Sequence, residues 1–229
     1  MRPVSILRKA KERGLQCVGL TDHVFGFTDP YVVDYARAEC PESGNGIQVF
    51  FGCEADVLEI GKTTVTEHML ETLDFVMVSA SHFHNDYMNM VAPPASDDPE
   101  AVGRHYLEMF RFAASLDCVD VIAHPFYVMP GTFDPRSIYT LSEKDLRSAA
   151  EIAAANGVAV EISRRAVTPD HIEFMRVFYR LCKRSGVKLS VGSDAHNLET
   201  VGRTDQLGSL IQELALEEQD FWLPNKHGR

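Results

Sequence analysis

Six short apolar runs, each delivering an imidazole or a carboxylate near its end, constrain this chain more than any other feature. LQCVGLT (15–21) leads into Asp22 and His23. IQVFFGCE (47–54) ends on Glu54. LDFVMVSASH (73–82) ends on His82, with His84 two residues on. CVDVIAH (118–124) ends on His124, VAVEIS (158–163) carries Glu161, and VKLSVGSD (187–194) ends on Asp194, with His196 two residues on. Runs this brief and this apolar read as strands buried on both faces. Longer helical patterns separate them. DDPEAVGRHYLEMFRFAASL (97–116) has Pro99 in its first turn, SEKDLRSAAEIAAANG (142–157) is framed by Ser142 and Gly157, and TPDHIEFMRVFYRLCKRSG (168–186) has Thr168 as cap, Pro169 first and Gly186 as stop. A last amphipathic helix is expected over 204–218, and the chain opens on a helix.

Buried strands alternating with helices predict an α/β fold with a mainly parallel sheet. Linkers, internal repeats and low-complexity tracts are lacking, so a single domain over 1–229 is expected. The pocket is expected to be shaped by the loops 24–46, 85–98 and 126–141.

Taken singly, a strand-end histidine is a hydrogen-bonded structural residue and an aspartate before a loop is a turn residue. The set does not reduce to that. The ends of parallel strands are where sites are built, and here the same residue types recur at five of them. Carboxylates gathered there without cations would repel one another. His and carboxylate together are the donors of Zn, Mn or Fe, and shared carboxylates join two or three ions.

The chain carries a net charge of -11 with 45% hydrophobic and 24% charged residues. That balance belongs to a folded globular protein and argues against nucleic acid as the main partner, since phosphate neutralisation needs clustered Lys and Arg. The chain shows no signal peptide and no long apolar run, so no membrane partner and a cytoplasmic location are expected. The five cysteines (Cys17, Cys40, Cys53, Cys118, Cys182) form no CxxC pair and read as reduced thiols.

In their order, AKERGLQCVGLTDH, GCEADV, SASHFH, IAHP, VEIS and VGSDAHN resemble the PHP (polymerase and histidinol phosphatase) family of metal-dependent phosphoesterases. The resemblance runs over nearly the whole chain. It implies a distorted (β/α)7 TIM-like barrel, two to three divalent ions (Zn, Mn or Fe) in a complete site, and hydrolysis of a small, histidinol-phosphate-like ester by a metal-activated water. It also implies the ligands: Glu54 bridging two ions, His82 and His124 completing the second, Asp194 on the first, and His23 and His196 on the third. Asp22 would orient a ligand. Asp194 and His196 would assist proton transfer. Arg164 and Arg165, just after a strand, are the expected phosphate-binding residues, ahead of Arg136 and Arg203.

The family opens on a strand bearing His-x-His, which this chain lacks: six strands are counted where the family has seven. Three explanations stand side by side: a reading frame begun at an internal methionine, a real loss with fewer ions bound, or substitution by His84. A free central edge invites homo-oligomerisation. The alternative function is a truncated or decayed PHP domain that binds metal with little or no catalysis. Amidohydrolase-type barrels fit less well, because no strand ends on a lysine. His68, His105 and His171 fall in helical patterns and are assigned surface or packing roles, His227 to a frayed tail, and Phe221 and Trp222 to packing against the barrel.

Overall fold

The computed structural model describes residues 1–40, 46–83 and 91–224. The elements are α1 (Pro3–Glu12), β1 (Cys17–Val24), α2 (Val32–Glu39), β2 (Gln48–Glu59), β3 (Lys62–Thr63), α3 (Glu67–Thr72), β4 (Phe75–Ser79), α4 (Pro99–Ala114), β5 (Val121–Ala123), α5 (Glu143–Ala155), β6 (Ala159–Ile162), α6 (Ile172–Ser185), β7 (Leu189–Val191) and α7 (Gly208–Glu213). All six predicted strands form, and they pair in chain order as β1-β2-β4-β5-β6-β7, every pair parallel. The sheet is a curled half-barrel of the TIM-like kind, and β1 and β7 lie at its two edges.

The two faces have different tasks. One carries Cys53, Ala55, Val76, Val78, Ile122, Val160 and Ile162, which pack against Val102, Phe110, Ala150, Phe174 and Phe178 of the helices. The other, concave face carries Phe50, Phe75, Met77, Val121, Ala123 and Ala159. The Phe75 ring fills the start of that face, and a Cβ on Gly52 would lie 2.5 Å from it. Trp222 meets Phe75 edge-on at 5.6 Å, and its backbone N–H donates to the Leu189 carbonyl. The N-terminal end of the barrel is therefore plugged with aromatic rings, as expected for Trp222, and the candidate ligands gather at the other end. Two aspartates stitch the strand starts: Asp74 accepts from the Phe51 N–H at 2.8 Å and Asp120 from the Val76 N–H at 2.7 Å.

Four local expectations change. β2 runs five residues past Glu54 because its second half pairs with β3 as a hairpin turned at Gly61, whose φ is 90°. The loop 24–46 contains a helix, α2. α6 starts at Ile172 and not at Thr168, because a short 3-10 turn (Arg164–Val167) comes first and the Thr168 hydroxyl is engaged with Arg165 and His171. The stretch 204–218 is not one helix: α7 is six residues long and the chain reverses at Ala215, whose φ is 49°. His84, like His227, lies outside the described residues.

Candidate metal centre

In a strand, alternate residues share a face. The parallel register sets His23 beside Glu54, and both belong to the concave side with Glu161, which follows Ala159 by two residues. β4 and β5 then release His82 and His124 just beyond their ends. The result is a buried carboxylate ringed by imidazoles. Glu54 Oε1 lies 2.9 Å from His124 Nε2 and 3.6 Å from His82 Nε2, and Oε2 lies 3.7 Å from His23 Nδ1. Glu54, His82 and His124 are each 6% exposed or less.

The longer two separations exceed hydrogen bonds. They approach the spacing of two atoms held at ~2.0–2.2 Å by one tetrahedral ion. His23, Glu54 and His82 each offer one ligand atom, all within 4.8 Å of one another. His23 Nδ1 is buried with no hydrogen-bond partner, as is Asp56 Oδ2. A buried nitrogen without a partner, facing a carboxylate and a second imidazole, fits a divalent cation.

Each ligand candidate is oriented from behind. Asp56 Oδ1 accepts from His82 Nδ1 at 2.8 Å, so His82 Nε2 is the free donor atom. Ser81 Oγ lies 2.9 Å from His124 Nδ1. The Glu161 carboxylate accepts from the His124 backbone N–H at 2.7 Å and lies where a Cβ on residue 192 would be, so Gly192 is required there. His124 and Asp194 hold positive φ, 25° and 45°, a strained conformation for non-glycine residues that recurs at functional sites.

The electrostatics follow from this packing. Burial alone would raise the Glu54 carboxyl, but the hydrogen bond from His124 and the nearby imidazoles outweigh it and hold the group well below the usual carboxylate range. Burial opposes the charged form of His124, and Glu54 more than offsets it, so His124 is raised. His23 is lowered by burial. Glu161 is pushed up to about 7, again by burial.

The remaining candidates divide. Asp194 is brought to the site, where its Oδ2 accepts from Arg165 Nε at 2.5 Å. Arg165 also lies over the Tyr127 ring at 4.8 Å. His196 is half-exposed, its ring 5.8 Å from that of His23 and its Nδ1 3.1 Å from the Asp194 carbonyl. Arg164 is half-buried and makes no polar side-chain contact among the described residues, so the two arginines are not equivalent. Asp22 sits on the opposite pleat from His23, exposed, and hydrogen-bonds no candidate ligand among the described residues. The carboxylate that orients a ligand is Asp56. Arg136 is engaged on the surface with Asp134 at 2.7 Å. His68 pairs with Asp34 at 3.0 Å and His105 with the Ala92 carbonyl at 2.9 Å, both packing roles as expected. His171 is buried, 4% exposed, so of the two expected roles it has the packing one.

Asp56, Ser81 and Tyr127 were not singled out by the sequence. Asp56 had a usable signal, since it lies two residues past Glu54 on the same strand and so on the same face. Ser81 and Tyr127 carry no pattern that would separate them from loop residues.

The profile of the PHP domain matches residues 1–165 of this chain. A "probable phosphatase" of Acetivibrio thermocellus is 27% identical over 212 residues, covering 90% of this chain and 78% of its own length. Another "probable phosphatase", from Caldicellulosiruptor bescii, is 28% identical over 212 residues, covering 90% and 77%. Among solved structures, the histidinol phosphate phosphatase of Lactococcus lactis, complexed with zinc, L-histidinol and phosphate, superposes with a TM-score of 0.65 at 15% identity, covering 94% of this chain and 88% of its own. With the matched profile spanning well over half of its length, the chain belongs to the PHP domain family.

Proposed function

We propose that this chain is a metal-dependent phosphoric ester hydrolase acting, as one domain over 1–229, on a small phosphate ester in the cytoplasm. The observation that carries the reading is the convergence of His23, His82 and His124 on the buried Glu54. The family and the phosphatase relatives support it.

Glu54, His23, His82 and His124 would hold the ions, with Asp194 and His196 completing the set of two to three, and Zn, Mn and Fe all accept these donors. Bound divalent ions supply Lewis-acid charge to the phosphate oxygens and lower the pKa of water. The chain's own residues do the rest. Asp56 and Ser81 fix the two buried imidazoles so that the ring nitrogens aimed at Glu54 keep their direction. Arg165 offers a guanidinium to the phosphate, and Asp194 and the Tyr127 face hold it in place. His196 donates from Nδ1 to the Asp194 carbonyl, so its Nε2 is the one atom that would either complete the ion set or transfer a proton, each role excluding the other. A histidinol-like alcohol is one candidate leaving group, by analogy with the Lactococcus lactis neighbour.

A second reading, metal binding with little catalysis, draws on one observation: Asp194 is engaged by Arg165. Metal analysis by plasma mass spectrometry on protein purified without chelators tests the first point. Two or three ions per chain are expected, and a chain free of first-row metals would overturn both readings. Turnover of phosphate esters then separates them.

A further inference from the structure

The loop after β5 and the turn after β6 meet at one imidazole, that of His171, which is buried immediately before α6. Its Nε2 accepts from the Val128 backbone N–H at 3.0 Å. A backbone N–H only donates, so Nε2 is unprotonated and the neutral ring carries its proton on Nδ1. Nδ1 lies 2.8 Å from Thr168 Oγ1, and that hydroxyl donates to the Arg165 carbonyl at 3.2 Å. The hydrogen bonds therefore run in one direction, from Val128 through His171 and Thr168 to Arg165. Tyr127, the neighbour of Val128, lies beside the same ring at 5.1 Å between centroids and carries the Arg165 guanidinium on its face. His124, Tyr127, Arg165 and His171 line one cleft.

From these contacts we infer that His171 is a positioning residue: it staples the Tyr127 loop to the Arg165 turn and so sets where the guanidinium meets a substrate oxyanion. The inference rests on the anion-binding role proposed above for Arg165. His171 hydrogen-bonds no candidate ligand among the described residues. An arginine fixed at Nε by Asp194 and at its face by Tyr127 gives up little freedom when it binds an anion. The Tyr127 support depends on the loop after β5, and His171 hydrogen-bonds that loop at Val128 and reaches the Arg165 turn itself through Thr168. Without the staple the guanidinium must be ordered by the ligand itself, so anion affinity falls while the ions and the chemical step are left as they were.

The test uses the full metal-loaded chain with inorganic phosphate as probe, titrated calorimetrically, beside KM and kcat on a phosphate ester. His171→Leu removes the acceptor. His171→Gln restores one, since Oε1 takes the place of Nε2. Thr168→Val cuts the link on the Arg165 side. For H171L we expect phosphate binding about tenfold weaker, as for loss of a hydrogen bond, with KM raised in parallel. Its kcat and metal content should stay within about twofold of the parent. H171Q should lie within about threefold of the parent in every quantity, and T168V should weaken phosphate without loss of metal. If H171L does not fold, the contrast between H171Q and T168V decides in the same way. Parent-like phosphate affinity in H171L and T168V would overturn the inference, as would a loss expressed in kcat and metal content. A parent protein that binds phosphate but hydrolyses no ester would refute the proposed activity and leave the binding contrast to judge His171.

Discussion

His124 Nε2 lies 2.9 Å from Glu54 Oε1, although the two residues are 70 positions apart and their strands are separated by β4. Among the described residues, Glu54 is the one carboxylate that pairs with His23, His82 and His124 together. Glu54→Gln, isosteric and uncharged, should abolish bound metal while the far-UV circular dichroism stays that of the parent. Parent-level metal in E54Q would remove Glu54 from the centre.

Asp56 acts one step back. It is 1% exposed, and its carboxylate makes one side-chain hydrogen bond among the described residues, from His82 Nδ1 at 2.8 Å. Partners of this kind are worth about 10–100-fold in metal affinity. Asp56→Asn should therefore weaken metal binding by that factor in a competition titration, without emptying the site at saturating ion. An unchanged affinity would mean that His82 needs no orienting partner.

The two adjacent arginines should behave differently. Arg165 is held by Asp194 and Tyr127, whereas Arg164 makes no polar side-chain contact among the described residues. Loss of a charge-assisted hydrogen bond costs about 1.5–3 kcal/mol, so Arg165→Ala should raise KM for a phosphate ester by roughly 10- to 100-fold. Arg164→Ala should change it by less than about threefold. Equal effects would mean that the turn, and not the Arg165 guanidinium, carries the anion contact.

Much of this was legible beforehand. The six strands were readable because each is a short run buried on both faces, and the ligand candidates because they recur at the same end of five of those runs. What escaped the sequence depends on contacts between segments far apart. Asp22 and Asp56 are both acids near a strand-end ligand, and only the pleat separates the exposed one from the one bonded to His82. His171 lies in a helical pattern, but a 3-10 turn shifts the helix start and leaves the ring under two loops. The break after α7 comes from a left-handed alanine, Ala215, which no propensity rule anticipates.

His171 also makes stability depend on pH. Burial lowers its pKa below the ordinary 6.5, against the smaller opposing pull of Asp170, while Tyr127 faces the ring from the loop after β5. A folded pKa below the unfolded one means that the neutral ring is favoured in the fold. Its contribution is complete above about pH 6.5 and is lost as the pH falls through that value toward the folded pKa. The melting temperature of the parent should therefore drop more than that of H171Q between pH 8 and pH 5.5. Parallel pH profiles would show that His171 keeps an ordinary pKa in the fold.

The most direct test of metal-dependent ester hydrolysis is the release of inorganic phosphate from a panel of small phosphate esters. The fully metal-loaded chain would be compared with the same sample stripped by chelator and then reloaded. Expected is release that vanishes on stripping, returns on reloading with Zn, Mn or Fe, and is absent in E54Q. Release that is the same with and without metal, or none from a chain carrying its ions, would contradict the proposed activity.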